Sequence, residues 1–229
     1  DFGDAWVQDS VIEIFREDIA RFRVMLASDL DEDPAAVLDR GGVPDMTALR
    51  VHHGTIYRWN RPCYGISGGK PHLRIEARSF PSGPSPIDEM ATAAFFFGLM
   101  AAVSHEFDDV SKVMSFDDAR GNFVAAARLG LQANLTWFHG RDYSAQELIE
   151  EALLPMAREG LEHANVDAGD VDRYLEIIRE RCRRGRTGAR WQLDSLSAMG
   201  DKGTKEQRMG ALVRAMQMRQ ESSEPVHAW

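Results

Sequence analysis

Arg74-Ile75-Glu76-Ala77-Arg78 is the run of this sequence whose residue types and spacing most directly suggest chemistry. On an extended strand alternate side chains share a face, so Arg74, Glu76 and Arg78 are expected to project together, with His72 beside them, while Ile75 and Ala77 face the core. A carboxylate flanked by guanidinium groups can hold Mg²⁺ while the arginines clamp phosphate oxygens. A solvated strand face with its charges paired explains the same pattern. The second such run is His52-His53-Gly54-Thr55-Ile56-Tyr57-Arg58-Trp59-Asn60-Arg61-Pro62. It gathers two arginines, an amide and a hydroxyl beside two aromatic rings, and an arginine–aromatic stacking arrangement accounts for it equally well.

The elements that must position these residues follow from periodicity. Ser10 and Glu13 have the form of a capping box, and Val11, Ile14, Phe15, Ile19, Phe22 and Met25 recur at helical spacing behind it. That helix is expected to end in the acidic stretch Asp29 to Asp33 and to be stopped by Pro34, with a short helix at Ala35 to Asp39. Leu49 to Trp59 and His72 to Phe80 alternate in character and predict two antiparallel strands, joined by a long loop containing Gly65, Gly68 and Gly69. Helices are predicted at Ile87 to Ser104, Phe116 to Leu131, Ser144 to Ala164, Ala168 to Arg183 and Lys205 to Gln220, with a short one at Trp191 to Ala198. The fold class is therefore α+β: a small, incomplete antiparallel sheet packed with several helices, and a helix-rich C-terminal half. Residues 1–229 read as one domain, with a helical lead-in (1–48), a strand pair carrying the site (49–84) and a helical remainder (85–229).

Bulk properties narrow the classes of function. The net charge of -9 disfavours nucleic-acid binding, which needs concentrated Lys and Arg. Cys63 and Cys182 have neither disulfide-framework nor metal-site spacing, so a reduced, cytoplasmic setting is expected. The longest apolar stretch, Met90 to Val103, is shorter than the roughly 20 residues of a membrane span, and no signal peptide precedes it. The chain opens Asp1-Phe2-Gly3-Asp4 without an initiator Met, which suggests processing or a piece of a longer protein. Arg179 to Arg190 is basic and lacks the Gly-Lys-Ser/Thr ending of a P-loop, so it reads as a solvated helix end. Phe95, Phe96 and Phe97 read as core, and Met209, Met216 and Met218 as packing for a partner domain. His105, His139, His163 and His227 lack ligand spacing.

Taken together, His52–Pro62 (HxGTxYRWNRP), Pro71–Pro84 (PHLRIEARSFPSGP) and Asn122–Gly130 (NFVAAARLG) resemble the type 2 glutamate–cysteine ligases and related carboxylate–amine ligases, distant relatives of glutamine synthetase. The resemblance implies the C-terminal portion of a glutamine synthetase-like catalytic domain that uses ATP and Mg²⁺ and passes through an acyl phosphate. It implies Glu76 as metal ligand, with Arg78 and Arg58 as catalytic residues, Arg78 on the migrating phosphoryl group and Arg58 on the nucleotide phosphates or the carboxylate substrate. Arg61, Arg74, Asn60, Tyr57, His52 and Arg128 would contact ATP or the acid substrate, with Asn122 and Arg128 on a helix bordering the site. Implied partners are small molecules (an amino acid and ATP) and the remainder of a parent chain. That remainder includes an N-terminal half and, in the bacterial subgroup that the flanks resemble, CBS domains; a homo-oligomer is allowed. Position 53 is His where close relatives suggest Asn. The glutamate-bearing N-terminal strands of the family are absent, which leaves the Mg²⁺ cage unfinished and predicts that the isolated chain is catalytically incomplete. The alternative is a non-catalytic nucleotide- or metabolite-binding regulatory module on the same scaffold; an unrelated helical interaction domain would leave the two strand clusters unexplained.

Overall fold

A computed structural model describes residues 2–27 and 32–229, and they are 60% helical with two antiparallel sheets of two strands each, the predicted α+β class. The chain divides into two compact units, Asp1–Pro81 and Ser82–Trp229.

The first unit opens with α1 (Ile12–Arg21). Glu13 reaches back to accept from the backbone N–H groups of Gln8, Asp9 and Ser10, which satisfies donors that a helix start leaves orphaned. The helix stops at Arg21 rather than continuing past Met25, and Phe22 to Ala27 are irregular; part of the acidic stretch expected to end it lies outside the described residues. Pro34 does not stop a helix but begins α2 (Pro34–Asp39), where a missing N–H costs nothing; Asp33 caps it through the N–H groups of Ala35 and Ala36.

The first predicted strand is a correction. Thr47–Gly54 is a helix, α3, and β1 (Asn60–Ser67) starts only at Asn60. The apparent alternation of 49–59 mixed the buried stripe of a short helix, His52 and His53, with an irregular connection carrying buried Ile56 and Arg58. α3 begins behind Met46, which is left-handed (φ 51°) and is held there by the Glu32 carboxylate, which accepts from the N–H groups of Asp45 and Met46. β1 pairs with β2 (Lys70–Ala77) in the register Arg61↔Glu76, Cys63↔Arg74, Gly65↔His72. The loop is not long: Gly68 (φ +56°) and Gly69 (φ +75°) alone make a two-residue turn of the kind that requires positive φ at both positions. Gly65 is inside the strand. Ile75 does not face a core, since Ile75 and Leu73 are 49% and 51% exposed.

The second unit is built on α4 (Pro86–Glu106), α7 (Leu154–His163) and α8 (Ala168–Arg183) around Ala91, Leu154, Ala157, Leu161, Val171 and Leu175. α4 and α7 cross with backbones in contact: a Cβ on Gly160 would lie 1.9 Å from the Gly98 carbonyl oxygen and one on Gly98 would lie 2.3 Å from that of Ala157. α4 is apolar and long enough to cross a membrane by length and composition, and here its small residues Ala91, Gly98 and Ala102 are buried. Its Phe97, expected in the core, is 64% exposed, because the buried stripe is the small-residue one. Between α4 and α7 come α5 (Phe116–Leu129) and a second hairpin, β3 (Asn134–Trp137) with β4 (Arg141–Ser144), which the sequence reading lacked. α6 (Ala145–Leu148) runs through one π-turn, Ile149–Leu153, into α7. α9 (Gly188–Met199) and α10 (Lys205–Glu221) pack through Trp191, Leu212, Met216, Val226 and Trp229.

The buried Asp88 ties these helices together. It accepts from Arg181 Nη2 at 2.7 Å, from Ser85 Oγ at 2.7 Å and from the Val226 N–H at 2.9 Å. Arg181 is thus part of the interior rather than of a solvated helix end. The other arginines of that run pair with carboxylates nearby: Arg179 with Glu176, Arg183 with Glu150, Arg184 with Glu180 and Arg186 with Asp194.

Candidate functional site

The register of the hairpin puts Arg61, Cys63 and Gly65 of β1 on the same face as Glu76, Arg74 and His72 of β2. α3 closes this face, and a cavity of about 510 Å³ lies between them, lined by Arg50, His53, Arg61, Cys63, His72 and Arg74 among others. Arg74 Nη1 lies 3.2 Å from His72 Nε2, and the two side chains fold across Gly65. A smaller cavity, about 200 Å³, is lined by Tyr57, Arg58, Trp59 and Arg78.

Glu76 lines neither cavity, but it is approached by one arginine of each. Arg61 Nη2 approaches its Oε2 at 2.6 Å and Arg78 Nε at 3.9 Å. The Arg61 approach is a charge contact without hydrogen-bond alignment, so Glu76 Oε2 is a buried oxygen with no aligned donor. Arg61 is held from the other side by its Nη1, which donates to the His53 carbonyl at 2.9 Å. Arg78 donates Nη1 to the Ile56 carbonyl at 2.9 Å, and its guanidinium stands 5.6 Å from the centre of the Tyr57 ring. Tyr57 is 85% exposed and leaves one ring face open.

Two residues expected to touch ligand are placed elsewhere. Arg58 is locked into the interior: its side chain is 1% exposed, it pairs with Asp18, itself wholly buried, and it reaches Glu17 at 3.3 Å. A guanidinium that meets two carboxylates has little left to offer a ligand, so in this structure Arg58, although it lines the smaller cavity, serves as half of a buried ion pair. His52 is likewise buried and bonds through Nε2 to the Phe22 carbonyl at 2.9 Å, fastening α3 to the segment after α1. Asn60 is exposed at the start of β1. Arg128 is exposed on α5 in the second unit, and Asn122 pins β3 by a pair of bonds to the backbone of Thr136, at 2.6 and 2.8 Å.

The structure also brings forward residues that the strand pattern hid. Arg50 and His53 lie three apart on α3, and helical spacing turns both toward the cavity; read as a strand, that segment puts them on opposite sides. His53 stacks on Phe15 with ring centroids 4.9 Å apart and is bonded to the backbone of Pro62, while its Nε2 is buried without a partner. Burial pushes this imidazole below its ordinary pKa near 6.5, with the Asp18 carboxylate pulling the other way. It is therefore neutral at pH 7.

The family model of glutamate-cysteine ligase family 2 (GCS2) matches residues 23–222. The chain belongs to GCS2. No curated protein and no solved structure matches it. The GCS2 match spans α2 through α10 and so includes both cavities. Family membership marks the chain as ligase-like and amide-forming in type. Among the described residues no group of three or more His, Cys, Asp and Glu side chains could hold a metal ion. Glu76 does suit Mg²⁺ as a single carboxylate ligand, because its buried Oε2 lacks an aligned donor and Mg²⁺ commonly takes one or two carboxylates and completes its shell with water and substrate phosphates.

Proposed function

We propose that this GCS2 chain carries part of the active site of an ATP- and Mg²⁺-dependent carboxylate–amine ligase, a cytoplasmic enzyme that forms an amide through an acyl phosphate. The observation that carries the reading is Glu76, whose buried oxygen without an aligned donor is approached by Arg61, which lines the larger cavity, and by Arg78, which lines the smaller. Mg²⁺, when held by Glu76, supplies Lewis-acid charge to phosphate oxygens. Arg78 is tethered by one Nη to the Ile56 carbonyl and keeps the rest of its fork for a phosphoryl group. Arg61, spanning the His53 carbonyl and Glu76, keeps the carboxylate oriented and neutralised until a ligand arrives. Tyr57, open on one face, serves as a stacking surface beside Arg78. The remaining metal carboxylates are assigned to an N-terminal half of a longer parent chain, which would also complete the substrate pocket.

The test is calorimetric titration of Mg·ATP into the chain and into a longer parent protein, with Glu76→Ala and Arg78→Ala beside each. Both variants are expected to weaken binding at least about tenfold, the worth of one charge-assisted contact. Unchanged binding in both removes the assignment. The locking of Arg58 into Asp18 favours a second reading, in which the scaffold binds a nucleotide or metabolite for regulation. Mg·ATP binding by the parent without release of phosphate in the presence of amino acids selects that reading.

A further inference from the structure

His105 and His163 are far apart in sequence, and the fold sets their rings in contact, with centroids 4.6 Å apart and planes at 62°. α4 and α7 run parallel: toward their C-termini Gly98 meets Ala157, Ala102 meets Gly160 and His105 meets His163. The backbone contact at Gly98 and Gly160 leaves the two helices little room to slide. The two histidines therefore occupy the last turns of neighbouring helices that end on the same side, and both are exposed.

Two features make this pair more than a ring contact. Among the described residues no hydrogen bond or ion pair reaches either imidazole, so the ring nitrogens are left for a partner from outside the chain. His52, His53 and His72, by contrast, are each bonded within the first unit. The second feature is the local field. Each helix ends in carbonyl groups that the helix itself cannot pair, and parallel helices bring their negative ends together. A cation held between the last turns is stabilised by both.

The separation also suits one metal ion. Two imidazoles whose nitrogens stand about 2.1 Å from a shared ion, at right angles, have centroids about 4.5 Å apart, whereas tetrahedral positions spread them to about 5.2 Å. Rotation about χ2 turns each ring on an axis through its own centroid, so the 4.6 Å separation is kept while one nitrogen of each ring swings toward a common point. Right-angle nitrogen positions belong to tetragonal Ni²⁺ and Cu²⁺.

We infer that His105 and His163 form a two-histidine surface site for Ni²⁺ or Cu²⁺ that joins the last turns of α4 and α7, with water in the remaining positions. Among the described residues no third His, Cys, Asp or Glu completes the group, so the site is open rather than caged. Mg²⁺, which prefers carboxylate and phosphate oxygens, does not compete for it.

The experiment is titration calorimetry of NiCl₂ into the full 229-residue chain in excess Mg²⁺, repeated with His105→Ala, His163→Ala and His139→Asn. Expected is one saturable Ni²⁺ per chain, weakened at least about tenfold by either alanine, since even the loss of an outer partner of a metal site costs that much. His139 is exposed and outside the pair, and its variant should bind Ni²⁺ as the starting chain does. Bound Ni²⁺ should raise the melting temperature of the starting chain and slow amide exchange in the last turns of α4 and α7, and should do neither in the two alanine variants. Circular dichroism of those variants without metal should match the starting chain, because both side chains are exposed. No saturable binding in excess Mg²⁺, undiminished binding by either alanine variant, or loss of binding in His139→Asn overturns the inference.

Discussion

Removing Asp18 separates a structural from a ligand-binding role for Arg58. The two side chains are 0% and 1% exposed, so Asp18→Ala leaves a guanidinium in the interior with only the Glu17 contact at 3.3 Å. Breaking one partner of a buried pair costs about 3–5 kcal/mol, and the remaining Glu17, 28% exposed, argues for about 3 kcal/mol. With a urea dependence of about 1.5 kcal/mol per molar, the unfolding midpoint of the first unit falls by about 2 M. Removing both charges, as Asp18→Leu with Arg58→Met, restores stability to within about 1 kcal/mol of the starting protein, since an apolar pair of similar size needs no compensating charge. The assay is urea unfolding followed by amide exchange in α1 and α3. A loss below about 1 kcal/mol in the single variant, or a double variant no better than it, would refute the reasoning and return Arg58 to the candidate phosphate ligands.

Four other outcomes follow from the coordinates. Gly160→Ala should lower the melting temperature of the second unit by about 10 °C in calorimetry, because its methyl group would meet the Gly98 and Ala102 backbones and overpacking of this kind costs about 3 kcal/mol. Iodoacetamide should label the half-buried Cys63 and spare the native Cys182, whose thiol burial pushes up to about 11; peptide mass spectrometry showing Cys182 labelled first would contradict this. The His53 contribution makes stability fall as pH drops below its unfolded value near 6.5, because in that window the unfolded chain takes the proton and the folded imidazole does not; His53→Asn should flatten that part of a urea-midpoint profile between pH 7 and 5. Asp88→Ala should cost about 3–5 kcal/mol in urea unfolding, since it strands Arg181 and the Val226 N–H in the interior.

The long helices of the second unit were legible because their apolar periodicity runs over ten or more residues, and α8 and α10 fall close to their predicted bounds. β3 and β4 were not, because four residues carry no readable period; their positions depend on Asn122 gripping Thr136 from α5. Thr47–Gly54 misled for a different reason. Its burial comes from two histidines, which a reading by hydropathy counts as polar, so the helical stripe was invisible and alternation in the next segment was extended backward. That one misassignment hid Arg50 from the site. Residue types were legible in and just after β2, where Arg74 and Arg78 each line a cavity and Glu76 is approached by Arg78. Partnership was not legible at all, since Asp18 meets Arg58 across forty residues of chain.

Partnership is what sorts the arginines of the first unit into different tasks. Arg58 is desolvated together with the carboxylate that its Nη1 meets, so any ligand would have to displace a buried ion pair to reach that end of its fork. Arg61 shares one carboxylate and one carbonyl and can exchange the former for a metal-bound phosphate without leaving its place. Arg78 has a carbonyl, an aromatic face and a distant carboxylate, which fixes its direction while leaving its charge largely unspent. Arg50 and Arg74 have no opposing charge among the described residues, and so an incoming anion gains most from them. The order of ligand response expected from countercharge is therefore Arg50 and Arg74 first, Arg78 and Arg61 next, Arg58 last. A family motif that names arginines by position alone cannot make that distinction, because each has the same side chain and differs only in what the fold has set against it.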